Sequence, residues 1–184
     1  LPVRPDVPIV GMVTRLAYQK GLDVLAEGMD RILDMELQFV IVGTGEIWAH
    51  FYYGDLPNRC PAKAGAYIGY DQRRAHLTIA GSDFLLVPSR YEPCGLTQLQ
   101  AMRYGTLPVV RSTGGLADTV DQYHEANGHG DGFLFGDLTG NAIANTVGWA
   151  VSTYYDRPHH FEQMRERALR KRFLAFALDV NKDL

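Results

Sequence analysis

The sequence of 184 residues is poor in cysteine and carries no strong excess of charge of either sign. Cys60 and Cys94 are its only cysteines, so it offers no disulfide framework, and we expect a reducing cytosol. The formal net charge of -3 argues against a nucleic-acid or anionic-membrane binder, since such proteins are basic. No apolar run approaches the roughly 20 residues of a membrane-spanning helix. We therefore expect neither nucleic acid nor membrane as a partner.

The histidines do not have the spacing of a metal site. His124 and His129 fall in a glycine-rich stretch, and His159 and His160 are adjacent near a predicted helix start. Solvated side chains are the simpler interpretation, so we expect no metal.

Composition and length indicate one globular domain. Apolar residues make up 46% of the chain and charged residues 21%, which is ordinary for such a domain, and 184 residues can bury a substantial core. The opening stretch "LPVRPDVP" holds three prolines, and the chain does not begin with Met. We expect residues 1–8 to be a linker from a missing N-terminal domain and residues 9–184 to be the ligand-binding domain.

Short apolar runs alternate with amphipathic segments along the chain. The apolar runs predict buried strands at residues 9–14, 37–43, 65–70, 83–88 and 107–110. The amphipathic segments predict helices at residues 22–33, from 46 onward, and at 71–80, 96–104, 115–123, 139–154 and 158–174. The glycine-rich stretch 124–138 predicts a loop with a short strand at 133–135.

This alternation predicts a fold class. Strand–helix units in series indicate parallel strands joined by right-handed crossovers. The expected class is α/β, an open parallel sheet with helices on both faces, of the Rossmann-like type. Ligands of such sheets bind outside the carboxyl ends of the strands. The residues that follow each strand are therefore the candidates for a binding site.

Two cations follow the first strand, in the segment "TRLAYQKGLD". Arg15 and Lys20 lie between this strand and the next helix. Arginine offers a bidentate fork and lysine a point charge, so the pair suits a diphosphate. Two solvated surface cations are the alternative.

Glycines and a tyrosine follow the second and third strands. Gly43 and Gly45 permit a ligand to approach the backbone closely, or they simply form a tight turn. Trp48 stands where the last glycine of the G-x-G-x-x-G dinucleotide fingerprint belongs, so that signal is incomplete. Gly69 and Tyr70 end the third strand, where the tyrosine ring can stack on a base or pack at the rim.

The segment "VPSRYEPCGLTQLQAMRYG", after the fourth strand, is the most informative. Gly95 is predicted to start a helix, so the backbone N–H groups of Leu96 and Thr97 suit a phosphate. Glu92 can accept hydrogen bonds from sugar hydroxyls or stabilise positive charge, unless it is a capping or exposed acid. Cys94 has no histidine close in sequence, so we interpret it as a small residue under the ligand and not as a nucleophile.

The segment "RSTGGLADTV" follows the fifth strand. Its glycine turn, residues 113–116, is predicted to open a helix with Asp118 and Asp121 in its first turns, as the helix dipole favours. The turn either closes the far side of the pocket or is an ordinary connection.

Four separated segments together resemble one family: "TRLAYQKGLD", "AYIGYD", "PSRYEPCGLTQL" and "YGTLPVVRSTGGLADTV". In order and spacing they are similar to bacterial glycogen synthases and plant starch synthases. That family transfers glucose from ADP-glucose to the non-reducing end of an α-1,4-glucan with retention. The resemblance implies a GT-B architecture of two Rossmann-like domains. It makes this chain the C-terminal half and residues 9–184 its nucleotide-sugar-binding domain.

The resemblance also implies roles for the residues singled out above. Three of them are implied to be catalytic: Arg15, Lys20 and Glu92. Six more are implied to bind the donor: Gly69, Tyr70, Cys94, Gly95, Leu96 and Thr97. In this scheme the two cations contact the diphosphate, the tyrosine meets the adenine, and the helix N–H groups meet the phosphates. The glutamate, cysteine and last glycine face the glucose hydroxyls.

The implied reaction has an oxocarbenium-like transition state, and members of the family need no metal or other cofactor. The implied partners are ADP-glucose, its product ADP, and an α-glucan acceptor held through the missing N-terminal domain. The implied location is the bacterial cytoplasm, or the plastid in a plant.

Three segments depart from the family pattern: residues 51–63, 71–76 and 171–184. Alternatives therefore stay open: another GT-B nucleotide-sugar enzyme, a non-catalytic nucleotide- or glucan-binding module, or a dinucleotide-dependent dehydrogenase. The residue run 92–98 argues against the first, and the incomplete glycine fingerprint argues against the last. The residues alone do not distinguish ADP-glucose from UDP-glucose.

Overall fold

A computed structural model describes residues 1–172 of the chain. Six strands form one sheet: β1 (Ile9–Val13), β2 (Gln38–Gly43), β3 (Ala64–Ile68), β4 (Phe84–Val87), β5 (Leu107–Arg111) and β6 (Phe133–Phe135). The α-helices are α1 (Leu22–Asp34), α2 (Ile47–Arg59), α3 (Gln72–Ala80), α4 (Thr97–Tyr104), α5 (Gly114–Thr119), α6 (Gly140–Asp156) and α7 (Pro158–Arg170). A helix follows each of the first five strands, which confirms the predicted alternation.

The sheet is parallel throughout, with strand order β3-β2-β1-β4-β5-β6. The chain starts at β1 in the middle, moves outward to β3, and then returns to place β4 on the other side of β1. The strand order therefore reverses between β1 and β4. In an open parallel sheet this switch point is where the loops diverge and leave a crevice for a ligand.

Helices cover both faces of the sheet, which confirms the predicted fold class. In β4, Phe84 and Leu86 belong to the larger core, together with residues of α1, α2 and α6. Leu85 points to the opposite face and packs with Ile79 of α3 and Ala101 of α4. A fully buried leucine, isoleucine or phenylalanine side chain contributes about 1.5–3 kcal/mol. The unbroken apolar runs in the sequence therefore reflect burial on both faces.

One predicted helix is wrong in its length. The amphipathic pattern predicts a helix over residues 115–123, but α5 ends at Thr119 and Val120 is extended. The residues beyond it pair with the glycine-rich stretch: Asp121 N–H donates to Asp131 Oδ1 (2.8 Å) and Tyr123 N–H donates to the Gly132 carbonyl (2.8 Å). Asp121 therefore lies outside the helix, because these tertiary hydrogen bonds replace the helical ones.

Smaller differences concern other helix ends. The helix after β4 begins at Thr97, with Leu96 as its N-cap, so Gly95 precedes the helix and does not start it. The atypical segment 51–63 is helical as far as Arg59, with Pro57 in the last turn. The last predicted helix ends at Arg170, and residues 173–184, most of the atypical terminal segment, lie outside the described residues.

Among residues 1–172, the helices are all too short or too polar to cross a lipid bilayer.

Candidate functional site

The loops after β1 and β2 are pressed against each other at the carboxyl edge of the sheet. A Cβ atom on Gly43 would lie 2.0 Å from the Thr14 carbonyl oxygen, and one on Gly45 would lie 2.1 Å from the Leu16 carbonyl oxygen. The Glu46 N–H donates to the same Leu16 oxygen at 2.6 Å. Both glycines therefore meet neighbouring backbone, which supports the tight-turn interpretation of this pair.

Side chains of α2 complete this turn. His50 Nε2 accepts the Gly45 N–H at 2.8 Å, and Glu46 accepts hydrogen bonds from Trp48 Nε1 (2.6 Å) and from the Tyr18 N–H (2.7 Å). These hydrogen bonds, that of Trp48 above all, lower the pKa of Glu46 below its ordinary value. Trp48, which stands where the G-x-G-x-x-G fingerprint has its last glycine, therefore helps to hold the turn.

Lys20 and Glu92 meet at the switch point of the sheet. Lys20 follows β1, Glu92 follows β4, and Lys20 Nζ lies 2.5 Å from Glu92 Oε2. Ser89 Oγ donates to the same carboxylate oxygen at 3.1 Å. The two side chains are only 20% and 15% exposed. The structure thus places two predicted catalytic residues in contact, as an ion pair at the base of the crevice.

The turn from Glu92 to Thr97 lies against the start of α5. The Gly115 N–H donates to the Glu92 carbonyl at 2.9 Å, and Gly114 has φ +46°, a conformation that favours glycine. A Cβ on Gly115 would lie 2.0 Å from the Cys94 carbonyl oxygen. The glycine turn after β5 therefore supports the turn after β4.

The end of this turn presents backbone donors to solvent. Gly95 has φ +66°, and the α4 helix begins two residues later. Within residues 1–172, no protein acceptor receives the N–H groups of Leu96 and Thr97. The first N–H groups of a helix attract anions because they are unpaired and carry the positive end of the helix dipole. Cys94, beside them, is an exposed free thiol.

A cavity of about 510 Å³ opens on the other side of the crevice, at the ends of β1, β2 and β3. Arg15, Gly69 and Tyr70 line it, and Tyr70 is 85% exposed. The volume lies within the roughly 300–1,000 Å³ of small-ligand sites. The remaining lining residues are Val13, Thr14, Val42, Gly43, Thr44, Asp71, Gln72, Ala75, His76 and Gln100.

The predicted site residues thus form two groups along one edge. We call the first group the turn side: Lys20, Glu92 and Cys94–Thr97. We call the second group the cavity side: Arg15, Gly69 and Tyr70. The turn side supplies charges and backbone donors, whereas the cavity side supplies an exposed ring, a cation and empty volume.

Sequence reasoning missed several residues that organise this edge. Arg90 Nη2 lies 2.5 Å from Asp23 Oδ2, and its guanidinium stacks on the Tyr18 ring at 3.8 Å. Its carbonyl accepts a hydrogen bond from Arg111 Nη1 (2.5 Å). Residue spacing gives no signal for these contacts, because each joins segments that are far apart in the sequence.

An open parallel sheet with a glycine-lined crevice at its switch point defines a Rossmann-like ligand-binding domain. The chain also matches the family model "Glycosyl transferases group 1" over residues 1–168. The chain therefore belongs to the group 1 glycosyl transferase family, and its fold corresponds to the C-terminal part of the GT-B architecture.

Curated relatives agree with the resemblance found in the sequence. The chain is 50% identical to "Glycogen synthase 1" of Geobacter metallireducens, over 94% of this chain and 34% of that protein. It is 44% identical to a glycogen synthase of Treponema denticola, over 94% of this chain and 36% of that protein. The chain thus spans about a third of the length of these relatives.

Solved structures show the same fold. The chain superposes on the catalytic domain of starch synthase IV from Arabidopsis thaliana, bound to ADP and acarbose, with a TM-score of 0.87 and 27% identity. That match covers 98% of this chain and 38% of the other. A sucrose-phosphate synthase from Thermosynechococcus elongatus matches with a TM-score of 0.73 at 23% identity, a likeness of fold alone.

Proposed function

We propose that this chain is the donor-binding domain of a retaining glucosyltransferase that moves glucose from ADP-glucose to the non-reducing end of an α-1,4-glucan. One observation carries the proposal: the Lys20–Glu92 ion pair lies at the switch point, beside unpaired helix N–H groups. The names of the relatives support it, since they are glycogen synthases and a starch synthase bound to ADP.

The turn side would hold the diphosphate. The N–H groups of Leu96 and Thr97 would donate to phosphate oxygens, and Lys20 has further N–H donors besides the one directed at Glu92. Negative charge grows on the ADP as the bond to glucose breaks. Cations and aligned backbone dipoles that are already in place stabilise such charge without reorganisation. This is the catalytic contribution we assign to Lys20 and the α4 N-terminus.

Glu92 would serve the sugar. Its carboxylate is held by Lys20 and Ser89, so its orientation is fixed before a donor binds. A carboxylate in this place can accept hydrogen bonds from glucose hydroxyls and stabilise the positive charge of an oxocarbenium-like transition state. Cys94 and Gly95 would lie against the same hydroxyls, with the exposed thiol as a small neighbour and not a nucleophile.

The cavity side would hold the nucleoside. Tyr70 offers an exposed aromatic face on which adenine can stack, and Gly69 lines the cavity beside it. Arg15 lines the same cavity and would reach the diphosphate from this side. With protein cations available for the phosphates, we propose that the reaction uses no metal and no other cofactor.

The acceptor and the setting belong to the same proposal. The α-glucan would be held by the remainder of a longer protein, since the relatives are about three times as long as this chain. We propose the bacterial cytoplasm as its location, because that is where ADP-glucose and glycogen metabolism would meet.

Calorimetric titration of this chain with ADP, UDP and NAD tests the proposal. We expect ADP to bind saturably, UDP more weakly and NAD not at all. Lys20→Ala should weaken ADP binding by about ten- to a hundred-fold, as expected for the loss of a hydrogen bond to a charged group. Arg59→Ala is the matched control, because Arg59 is an exposed cation at the distal end of α2.

The outcomes separate the alternatives. Equal binding of ADP and NAD would favour a dinucleotide-binding protein, and the absence of nucleotide binding would contradict a donor domain in this chain. Weakening by Arg59→Ala to the same degree would show that Lys20 acts only through overall charge. A binding-competent parent protein that fails to elongate glucan would favour the non-catalytic module.

A further inference from the structure

One glutamine on α4 is fully buried, on the same helix face as the apolar residues Ala101 and Met102. Gln98 has 0% of its surface exposed. Its Nε2 donates to the Gly95 carbonyl at 2.7 Å and to Thr119 Oγ1 at 3.1 Å. Thr119 Oγ1 itself donates to the Gly115 carbonyl, so it can only accept from the amide. The two N–H bonds of the Gln98 amide therefore connect helix α5 with the turn that precedes α4.

The other end of the same amide has no partner. Gln98 Oε1 is buried and no hydrogen bond reaches it from the described residues. An unsatisfied buried carbonyl oxygen destabilises the folded state, because the group has lost its water. An apolar side chain of similar volume would avoid this cost. The amide therefore packs less favourably than an apolar side chain would. What it contributes is the pair of N–H bonds to the Gly95 carbonyl and Thr119 Oγ1.

Those bonds fix the backbone that carries the anion-binding donors. Gly95 has φ +66°, and a Cβ at that position would lie 2.5 Å from Gln98 Oε1. The Gly95 carbonyl is thus held directly before the N–H groups of Leu96 and Thr97. The glycine turn after β5 supports Glu92 and Cys94. At Gly95 itself the Gln98 amide makes the only backbone hydrogen bond found among residues 1–172, so the orientation of Gly95 depends on the amide.

We propose that Gln98 is a positioning residue of the donor site. It holds the Gly95 turn in place against Thr119, so that the N–H groups of Leu96 and Thr97 remain aligned for a diphosphate. The inference rests on the proposed function for the identity of the ligand, but the ordering of the turn does not depend on any ligand. Gln98 touches neither substrate nor reacting atoms in this scheme.

The first measurement needs no nucleotide. Backbone ¹⁵N order parameters of Gly95, Leu96 and Thr97 report how rigid the turn is. We expect Gln98→Met, which preserves volume, to lower all of them. Thr106→Val is the matched control, because it also removes a buried hydrogen-bond donor away from the site. The Thr106 hydroxyl lies 2.6 Å from the Ile79 carbonyl oxygen and 3.0 Å from the Ser82 carbonyl oxygen. The control should leave the turn as rigid as before.

The second measurement compares two ligands on the same variants. Gln98→Met should weaken ADP binding about ten-fold, the size expected for misaligned hydrogen bonds to a charged group. Adenosine, which has no phosphate, should bind as it does to the unaltered chain. Thr119→Val, which removes one acceptor of the amide, should shift ADP binding in the same direction by less.

Each outcome decides one of the two proposals. Unchanged order parameters in Gln98→Met would overturn the positioning role, as would an equal loss of ADP and adenosine binding. A loosened turn in a chain that never binds ADP would instead contradict the proposed function and leave the positioning role standing.

Discussion

The turn side and the cavity side of the crevice are constructed differently. On the turn side, Gly114 and Gly115 support the backbone from another part of the chain, and Gln98 links the Gly95 carbonyl to Thr119. On the cavity side, Tyr70 is 85% exposed and the lining side chains project around open volume. The first group is fixed before any ligand arrives, whereas the second group is free to adapt.

The difference corresponds to what each side would bind. Hydrogen bonds to phosphate oxygens weaken steeply with distance and angle, so their donors must be placed within tenths of an ångström. Stacking on a flat base tolerates small displacements of the ring. A rigid turn beside an open cavity therefore suits a ligand with a charged end and an aromatic end.

The largest expected effect comes from breaking the rigid side. Gly115→Ala would place a Cβ 2.0 Å from the Cys94 carbonyl oxygen. We expect the turn to be displaced, ADP binding to be lost, and the free energy of unfolding in urea to fall by about 3 kcal/mol. Alanine favours helices more than glycine does, so helix propensity alone predicts that the free energy of unfolding would rise.

Gly136→Ala is the matched control, since it makes the same chemical change where an added Cβ would meet nothing within 4 Å. It should leave both urea unfolding and ADP binding unchanged. If Gly115→Ala unfolded at the same urea concentration as the unaltered chain and bound ADP equally well, the backbone contact would not be what fixes the turn.

The sequence predicts where the site residues lie better than it predicts which of them are in contact. Apolar runs located the strands, because a strand buried on both faces must be apolar throughout. Lys20 and Glu92 each follow a strand, so their place at one edge was predictable. Their contact was not, because it requires β4 to pair with β1, and strand order depends on interactions between distant segments.

The supports of the turn escaped prediction for a related reason. Gln98 in an amphipathic helix resembles a solvated polar residue, and its contact with Thr119 of α5 exists only in the folded chain. The pattern that predicted a helix as far as residue 123 ignored the pairing of Tyr123 with Gly132. Local patterns record propensity and burial, whereas these contacts arise from the tertiary fold.

A smaller effect is expected on the open side. Tyr70→Ala should weaken ADP binding about ten-fold, the size of one lost aromatic–base stacking contact. Because the ring is 85% exposed, the urea midpoint should not move. Tyr70→Phe keeps the stacking face and should bind ADP normally. A loss of stability in Tyr70→Ala, or equal weakening in Tyr70→Phe, would contradict an adaptable stacking platform.

The smallest effect concerns how the cavity side is held. Asp71, which lines the cavity, caps α3 by accepting the Arg74 N–H at 2.9 Å, and its carboxylate also accepts from Arg74 Nε at 3.2 Å. The hydrogen bond from the Arg74 backbone, assisted by the Arg74 charge, lowers the pKa of Asp71 below its ordinary value of 3.8. This support is local, spanning one helical turn, in contrast to the contacts that Gly115 and Thr119 make with the turn side from α5.

A lowered carboxyl pKa has a defined consequence for stability. The charged form of Asp71 stabilises the fold above pH 3.8, and that contribution is lost as the pH falls through the lower pKa of the folded state. Asp71→Asn keeps a capping oxygen but does not titrate. Thermal unfolding should therefore find the variant slightly less stable at neutral pH, with the difference disappearing in acid. A difference that persisted unchanged in acid would mean that the charge of Asp71 plays no part in holding the cavity side.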